Sequence, residues 1–551
     1  MDLEASRSPT SSVIPASPKT TTSSPSSDSF AKAEANGQYE FAISDPRNCG
    51  ITLHYVATGF TSGAANAILF NVLAGYLNVP SDNIKAGANL AELPSVFSVL
   101  LGILSDSRPI CGLRRRPYMA GGWLLAAACC FFLMGMGLPA PYYCFSSADE
   151  RYQYDQPPCN PDAVEFYVPL MACVCIAQVG ITAASAAANG LMVEYAKAEP
   201  AERRGRAQTL LQMVHMAGYF VSLTIVAFGF NGRMFTGSFS QQNQLSYQQA
   251  VAILAVMCLV TGVSCIFNVQ ERPGGRSSIR GYCRSSWHLL ESKAFCAVAL
   301  FFFANTSIFN LSTTARTWVA LEWAKTENMQ RQISGMLAAV LSFVGCWLTQ
   351  KWFLGVSWRK IICATGVLTS VFDSIPQFCT IFDVFRNQYF YLGEPLTQNV
   401  PQAMSALVTT FLINELADDS NCALVAGLMN TIPAVGQQLS VLLSNQVFSM
   451  FTPDLAVRRN YVEDTPEFRW TVASSFLLSY TMSLLCFLTL PLLPRQKAQA
   501  QERKETWSRR PLFAFLATAI LGLALLYTLI GDLLVLSPSL TCHRFLGGQG
   551  C

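Results

Sequence analysis

Long apolar runs separated by short polar clumps dominate the chain from residue 51 onward. A helix needs roughly 20 mostly apolar residues to cross the hydrocarbon core of a bilayer. Runs of this kind occupy 51–79, 84–105, 117–138, 164–196, 207–230 and 248–268. After a polar stretch they resume at 294–321, 330–353, 359–383, 402–417, 421–451 and 469–493. One more, 512–536, follows a basic linker. The pattern predicts an all-α polytopic membrane protein with two sets of six helices and an appended thirteenth. The expected units are bundles over 46–268 and 294–493, linkers over 269–293 and 494–511, a last span over 512–536 and a tail over 537–551.

The polar clumps set the expected orientation, because Lys and Arg concentrate in loops kept on the cytoplasmic side. One set of connections carries Arg108, Arg114, Arg115 and Arg116, then Lys197, Arg203, Arg204 and Arg206, then Arg272 to Lys293. It continues through Lys351, Arg359 and Lys360 to Arg495–Arg510. The alternate connections hold few bases, so the first set is expected in the cytoplasm. Residues 1–45 belong there too: they are rich in Ser, Thr and Pro, lack an apolar run, and cannot offset their ordering entropy. They read as a disordered solvated tail or a phosphorylation platform. An odd number of spans puts the C-terminus outside. Cys144 with Cys159, and Cys542 with Cys551, then fall in outer segments where an oxidising compartment permits disulfides.

Composition narrows the function classes. Only 13% of residues are charged and 51% are hydrophobic, and the net charge of +3 gives no footprint for nucleic acid. The 19 cysteines form no CxxC pairs or His/Cys ligand set, so no metal or other cofactor is expected. No Gly-x-x-x-x-Gly-Lys-Ser/Thr loop is present to bind a nucleotide, and no catalytic constellation points to an enzyme. The sequons at Asn305 and Asn310 lie inside an apolar run and are not read as glycan sites.

Ionisable groups inside spans cost about 2.5–3.5 kcal/mol each on insertion scales, so those that remain are site candidates. Glu92, Glu194, Arg316, Asp373 and Glu415 qualify. Glu92 is the candidate for proton coupling, or a carboxyl at a wet helix end. Arg316 either holds an anionic solute or pairs with Asp373. Glu194 and Glu415 occupy matching places in the two halves, which suits gating. His54 and His215 read as packed histidines or proton relays. Asn66, Asn71, Asn189, Asn430, Gln437 and Gln438 offer neutral hydrogen bonds to a ligand or between helices. Phe301–Phe303, Trp318 and Trp323 form an aromatic patch that can stack on a flat ring or face lipid. Pro94, Pro376 and Pro433 are expected hinge positions.

The strongest local signal is Gly102-Ile-Leu-Ser-Asp106-Ser-Arg-Pro-Ile-Cys-Gly112-Leu-Arg114-Arg115-Arg116, where the second span meets the cytoplasm. Asp106 there can pair with an Arg or a helix N-terminus and latch the two halves in one state; the alternative is a plain stop-transfer cluster. A Gly, an Asp and a basic pair between helices 2 and 3 resemble the major facilitator superfamily. The long Asp106–Gly112 spacing, followed by Arg116-Pro-Tyr118-Met and Gly122-Trp123, resembles its folate-biopterin transporter family. Val193–Thr209 and Phe382–Gly393 are similar to further stretches of that family.

The resemblance implies a major-facilitator-type six-plus-six fold and a folate- or pterin-like solute, often carried with protons. The chain departs from the family pattern at Ser98, Asn189 and His215, where Lys, Asp and Arg are usual. Each departure removes a fixed charge. The expected function is a secondary transporter of a small organic solute, in contact with membrane lipid and with protons as a possible partner. The alternatives are a carrier of a different organic solute, or a transporter-derived sensor or scaffold. The plasma membrane is expected over an organelle, since an Arg-rich, acid-poor leader is absent.

Overall fold

The computed structural model describes residues 41–535, apart from 80, 147–148, 154–155, 200–204, 236, 272–278, 327, 354, 394–397, 417–421 and 456. The expectations for residues 1–40, for the tail after Val535 and for Cys542 with Cys551 lie outside the described residues.

Helices stand at every predicted span. In the first half they are α1 (Cys49–Phe70), α2 (Ser81–Val96), α3 (Ser98–Ser107), α4 (Arg116–Met136), α5 (Tyr167–Ala198), α6 (Arg206–Gly229) and α7 (Tyr247–Phe267). An amphipathic helix α8 (Ile279–Leu290) follows. The second half holds α9 (Lys293–Phe309), α10 (Asn328–Leu348), α11 (Trp358–Ile381), α12 (Asn399–Leu416), α13 (Cys422–Phe448) and α14 (Pro466–Leu485). Helix α15 (Lys497–Thr506) leads into α16 (Pro511–Val535), the appended span.

Among the described residues, nine helices are long and apolar enough to cross a membrane, and ten if the bent pair α2–α3 is one span. The bend is 45° and lies at Phe97, between Val96 and Ser98, three residues after Pro94. Helices α9, α12 and α13 stand at the remaining predicted runs but do not meet that length and composition. Helix α9 is short, and α12 and α13 carry the polar side chains that line the cavities described below. By contrast Pro376 and Pro433 sit inside the unbroken helices α11 and α13.

Each half has its own apolar core. Met119, Trp123, Ala184 and Leu211 pack together in the first, and Phe295, Leu407, Val408 and Val425 in the second. The halves meet along two seams. On one, Thr224 of α6 donates to the Met336 sulfur of α10 at 3.2 Å, beside Leu223. On the other, α3 crosses α13 at Gly427, where a Cβ would stand 2.8 Å from the Val99 Cα. Only glycine permits this approach, a common device where apolar surface on both sides gives no net hydrophobic drive. Helix α16 spans this second seam, since Ala524 packs on both Val96 of α2 and Val435 of α13.

Two short strands, β1 (Phe145–Ser146) and β2 (Arg151–Tyr152), pair antiparallel in the α4–α5 connection. The Cys144–Cys159 disulfide ties down the same connection.

Candidate functional site

The Asp106 motif builds an ion cluster at the end of the bundle that carries the basic loops. Cys111 and Gly112 both have positive φ, 53° and 80°. They form a two-residue reversal closed by Ile110 N–H to Leu113 O (2.9 Å) and Leu113 N–H to Ile110 O (3.0 Å). Glycine is the natural residue for the second position of such a turn. The five residues separating Asp106 from Gly112 are therefore used to turn the chain back on itself, which returns Arg115 to Asp106.

The Arg115 guanidinium is buried and forms ion pairs with Asp106 and, at 3.1 Å, with Glu194 of α5. Burial works against the charge on Arg115, but the two carboxylates more than offset it and hold the pKa above its ordinary value. Glu271, just beyond α7, accepts from the backbone N–H groups of Arg114, Arg115 and Arg116 at 2.5, 2.7 and 2.9 Å. It thus caps the positive end of the α4 dipole. Ser105 adds a bond to the Arg114 carbonyl at 2.7 Å. Gly102 is buried on α3.

The described pairs of the expected latch lie within one half. Asp106, Arg115, Glu194 and Glu271 all belong to the first half, so the cluster fixes α3, α4 and α5 to one another. Arg115 is the buried member of the arginine triplet. The sequence did not single out Glu271; an acid directly after a span and facing a basic loop was the available signal.

Two of the other charged candidates, Arg316 and Glu415, are also engaged. Arg316 meets Asp373 of α11 in a two-point pair (2.9 and 2.5 Å), and Tyr480 of α14 donates to the same carboxylate at 2.8 Å. This geometry ties three elements of the second half together and favours the internal pair over an anion site. Glu415 is buried and accepts from Gln501 of α15 at 2.7 Å. Glu92 is exposed on α2 and lines neither chamber described below. His54 accepts from the Trp123 indole at 2.9 Å in the first core, a packed histidine. His215 contacts the Thr58 hydroxyl at 3.1 Å. Trp323 is buried against Tyr461, apart from Phe301 and Phe302, so the expected aromatic patch divides.

Two polar chambers lie where the charges are not. One, of about 220 Å³, sits at the junction of the halves. Tyr55, Asn189, Gln208 and Gln212 line it from the first half, Thr410 and Asn430 from the second. Tyr55 donates to the Asn189 side-chain oxygen at 3.0 Å, which orients that amide. The second chamber, of about 440 Å³, lies inside the second half and shares Thr410 and Asn430 with the first. Its wall combines Asn305, Gln402 and Ser405 with Phe301, Phe302 and Phe309. Asn189 and Asn430 were legible candidates. Gln208 and Gln212 were not singled out, although their spacing puts both on one helix face.

The fold, an all-α set of apolar helices in two halves, is similar to that of major facilitator superfamily transporters of known structure. The major facilitator superfamily proton:xylose symporter XylE bound to 6-bromo-6-deoxy-D-glucose matches with a TM-score of 0.55 at 13% identity, over 84% of this chain and 98% of that one. A D-xylose-proton symporter matches with a TM-score of 0.55 at 12% identity, over 82% and 97%. A bacterial homologue of the iron transporter ferroportin in an outward-facing state gives 0.51 at 14%, over 82% and 100%. At these identities the likeness is one of fold. Residues 69–315, under half of the chain, match the family model described as PUCC protein. No curated protein sequence matches the chain.

Proposed function

We propose that the chain is a secondary transporter of a small organic solute, working by alternating access of its two six-helix halves. The observation that carries this reading is the polar chamber at their junction, walled by Asn189 and Gln208 from one half and Asn430 and Thr410 from the other. A site built from both halves is exposed to one side or the other as the halves rock, which is the working principle of such carriers. The two chambers together fall within the size range of small-molecule sites, about 300–1,000 Å³.

The resemblance in the α3–α4 connection narrows the solute to a folate- or pterin-like molecule. Amides and aromatic rings in the chamber walls suit a flat heterocycle with a hydrogen-bonding edge. Proton coupling in this reading is assigned to Glu92, a carboxyl on a span that faces neither core. Saturable uptake of labelled biopterin, folate and S-adenosylmethionine into proteoliposomes at two pH values tests the proposal. Uptake that loses its pH dependence in Glu92→Gln supports a coupled carrier. Uptake of none of them, with no thermal stabilisation by any, would turn the reading to a membrane sensor.

A further inference from the structure

The carrier reading says that a solute binds at the junction; the chamber walls say what kind. Among the described residues lining the two chambers there is no Asp, Glu, Lys, Arg or His. The polar groups are amides and hydroxyls: Asn189, Gln212 and Asn430 at the junction, and Asn305, Gln402 and Ser405 beyond it. Each can donate and accept hydrogen bonds without a net charge. The side chains of Gln212 and Asn430 make no hydrogen bond to another described residue, so their capacity is open to a ligand.

Glu92 lies outside both chambers, and the other charged candidates are engaged elsewhere. Arg115 is held by Asp106 and Glu194, Arg316 by Asp373, and Glu415 by Gln501. An ion moved from water into such a chamber loses its hydration and finds no counter-charge, which is strongly unfavourable. A neutral polar molecule exchanges its water for amides and hydroxyls at little cost. Phe301, Phe302 and Phe309 then offer a surface to an apolar or flat portion.

We infer, on the basis of the carrier reading, that the solute is uncharged in the form that binds: a hydroxyl- or amide-bearing molecule with one apolar or flat face. Asn189 and Asn430 hold its polar end at the junction, and the aromatic wall of the second half receives the remainder. On this inference the carboxylates of a folate exclude it, whereas an uncharged ring system remains admissible.

Matched pairs that differ mainly in charge test this in proteoliposomes: D-xylose with D-xylonate, adenosine with adenosine monophosphate, and 6-hydroxymethylpterin with pterin-6-carboxylate. The expected result is saturable uptake confined to uncharged members. Asn430→Asp should lower that uptake by about tenfold or more, as an unpaired buried charge would, while Asn430→Gln keeps a measurable fraction. Uptake of a charged member equal to or above its neutral partner overturns the inference and leaves the carrier reading standing. Equal uptake by Asn430→Asp and the unaltered protein also overturns it, because the solute then does not meet this amide. Failure of every member to enter, by protein that still melts cooperatively, sinks the carrier reading and this inference with it.

Discussion

Arg115 returns to Asp106 through the Cys111–Gly112 reversal and is buried against it, with Glu194 on its other side. The pair is short in sequence but joins α3 to the start of α4, and Glu194 brings in α5.

Removing the guanidinium leaves two carboxylates without their partner in a largely buried site. Breaking a buried pair from one side costs about 3–5 kcal/mol. Arg115→Gln should therefore lower the melting temperature sharply in detergent. The combination of Arg115→Gln with Asp106→Asn and Glu194→Gln should recover part of the loss, since it removes the stranded charges as well. A triple variant no more stable than the single one would refute the pairing as the source of the effect.

Gly427 marks a close approach of the two halves along the α3–α13 seam. A Cβ there meets the backbone at Val99, which cannot move aside as a side-chain end can. Overpacking of this kind costs about 1–3 kcal/mol. Gly427→Leu is expected to fold, because each half keeps its own core, but to lose most of its uptake. Accessibility of a cysteine introduced at Thr410 to a soluble maleimide should rise in that variant; unchanged labelling would count against the seam as a moving contact.

At the opposite end, Asp464 accepts from Arg386 (2.6 and 3.1 Å) and from Arg469 (2.8 and 2.7 Å). Burial pushes its pKa up, but the two guanidinium partners outweigh this and place it below the ordinary 3.8. A depressed carboxylate pKa stabilises the fold above the ordinary value and ceases to do so as pH falls through the lower folded value. Asp464→Asn should cost about 1–3 kcal/mol at neutral pH, and the difference from the unaltered protein should shrink below pH 3.8. Thermal melts between pH 3 and pH 7 read the effect, and a gap that is constant with pH would contradict it.

The Cys144–Cys159 bridge closes a separation of 15 residues, for which loop-closure entropy predicts a contribution of about 3 kcal/mol. Cys144→Ser with Cys159→Ser should lower stability by about that amount. The bridge also reports orientation: if the basic loops are cytoplasmic, a membrane-impermeant reductant applied to intact cells should release both thiols for labelling. Labelling only after permeabilisation, by protein that surface biotinylation places at the plasma membrane, would invert the assignment.

The sequence alone located the long apolar runs, each of which carries a helix, and the basic clumps between alternate runs. Both follow from quantities that add residue by residue along the chain: transfer of side chains into hydrocarbon, and the charge of short connections. It also marked the Asp106–Arg116 motif, and Asn189 and Asn430 as neutral polar groups within spans. Only the tertiary structure decided which of three consecutive arginines is buried, that Glu271 takes the α4 N-terminus, and that Arg316 is committed to Asp373. Nor could the sequence bring Tyr55, Asn189, Gln208 and Asn430 to one wall. Those partnerships depend on how each helix is rotated and where it crosses its neighbours, and close approaches such as that at Gly427 set those crossings. Hydrophobicity is summed locally, whereas the position of a polar group around its helix acquires meaning only when a second helix is packed against it.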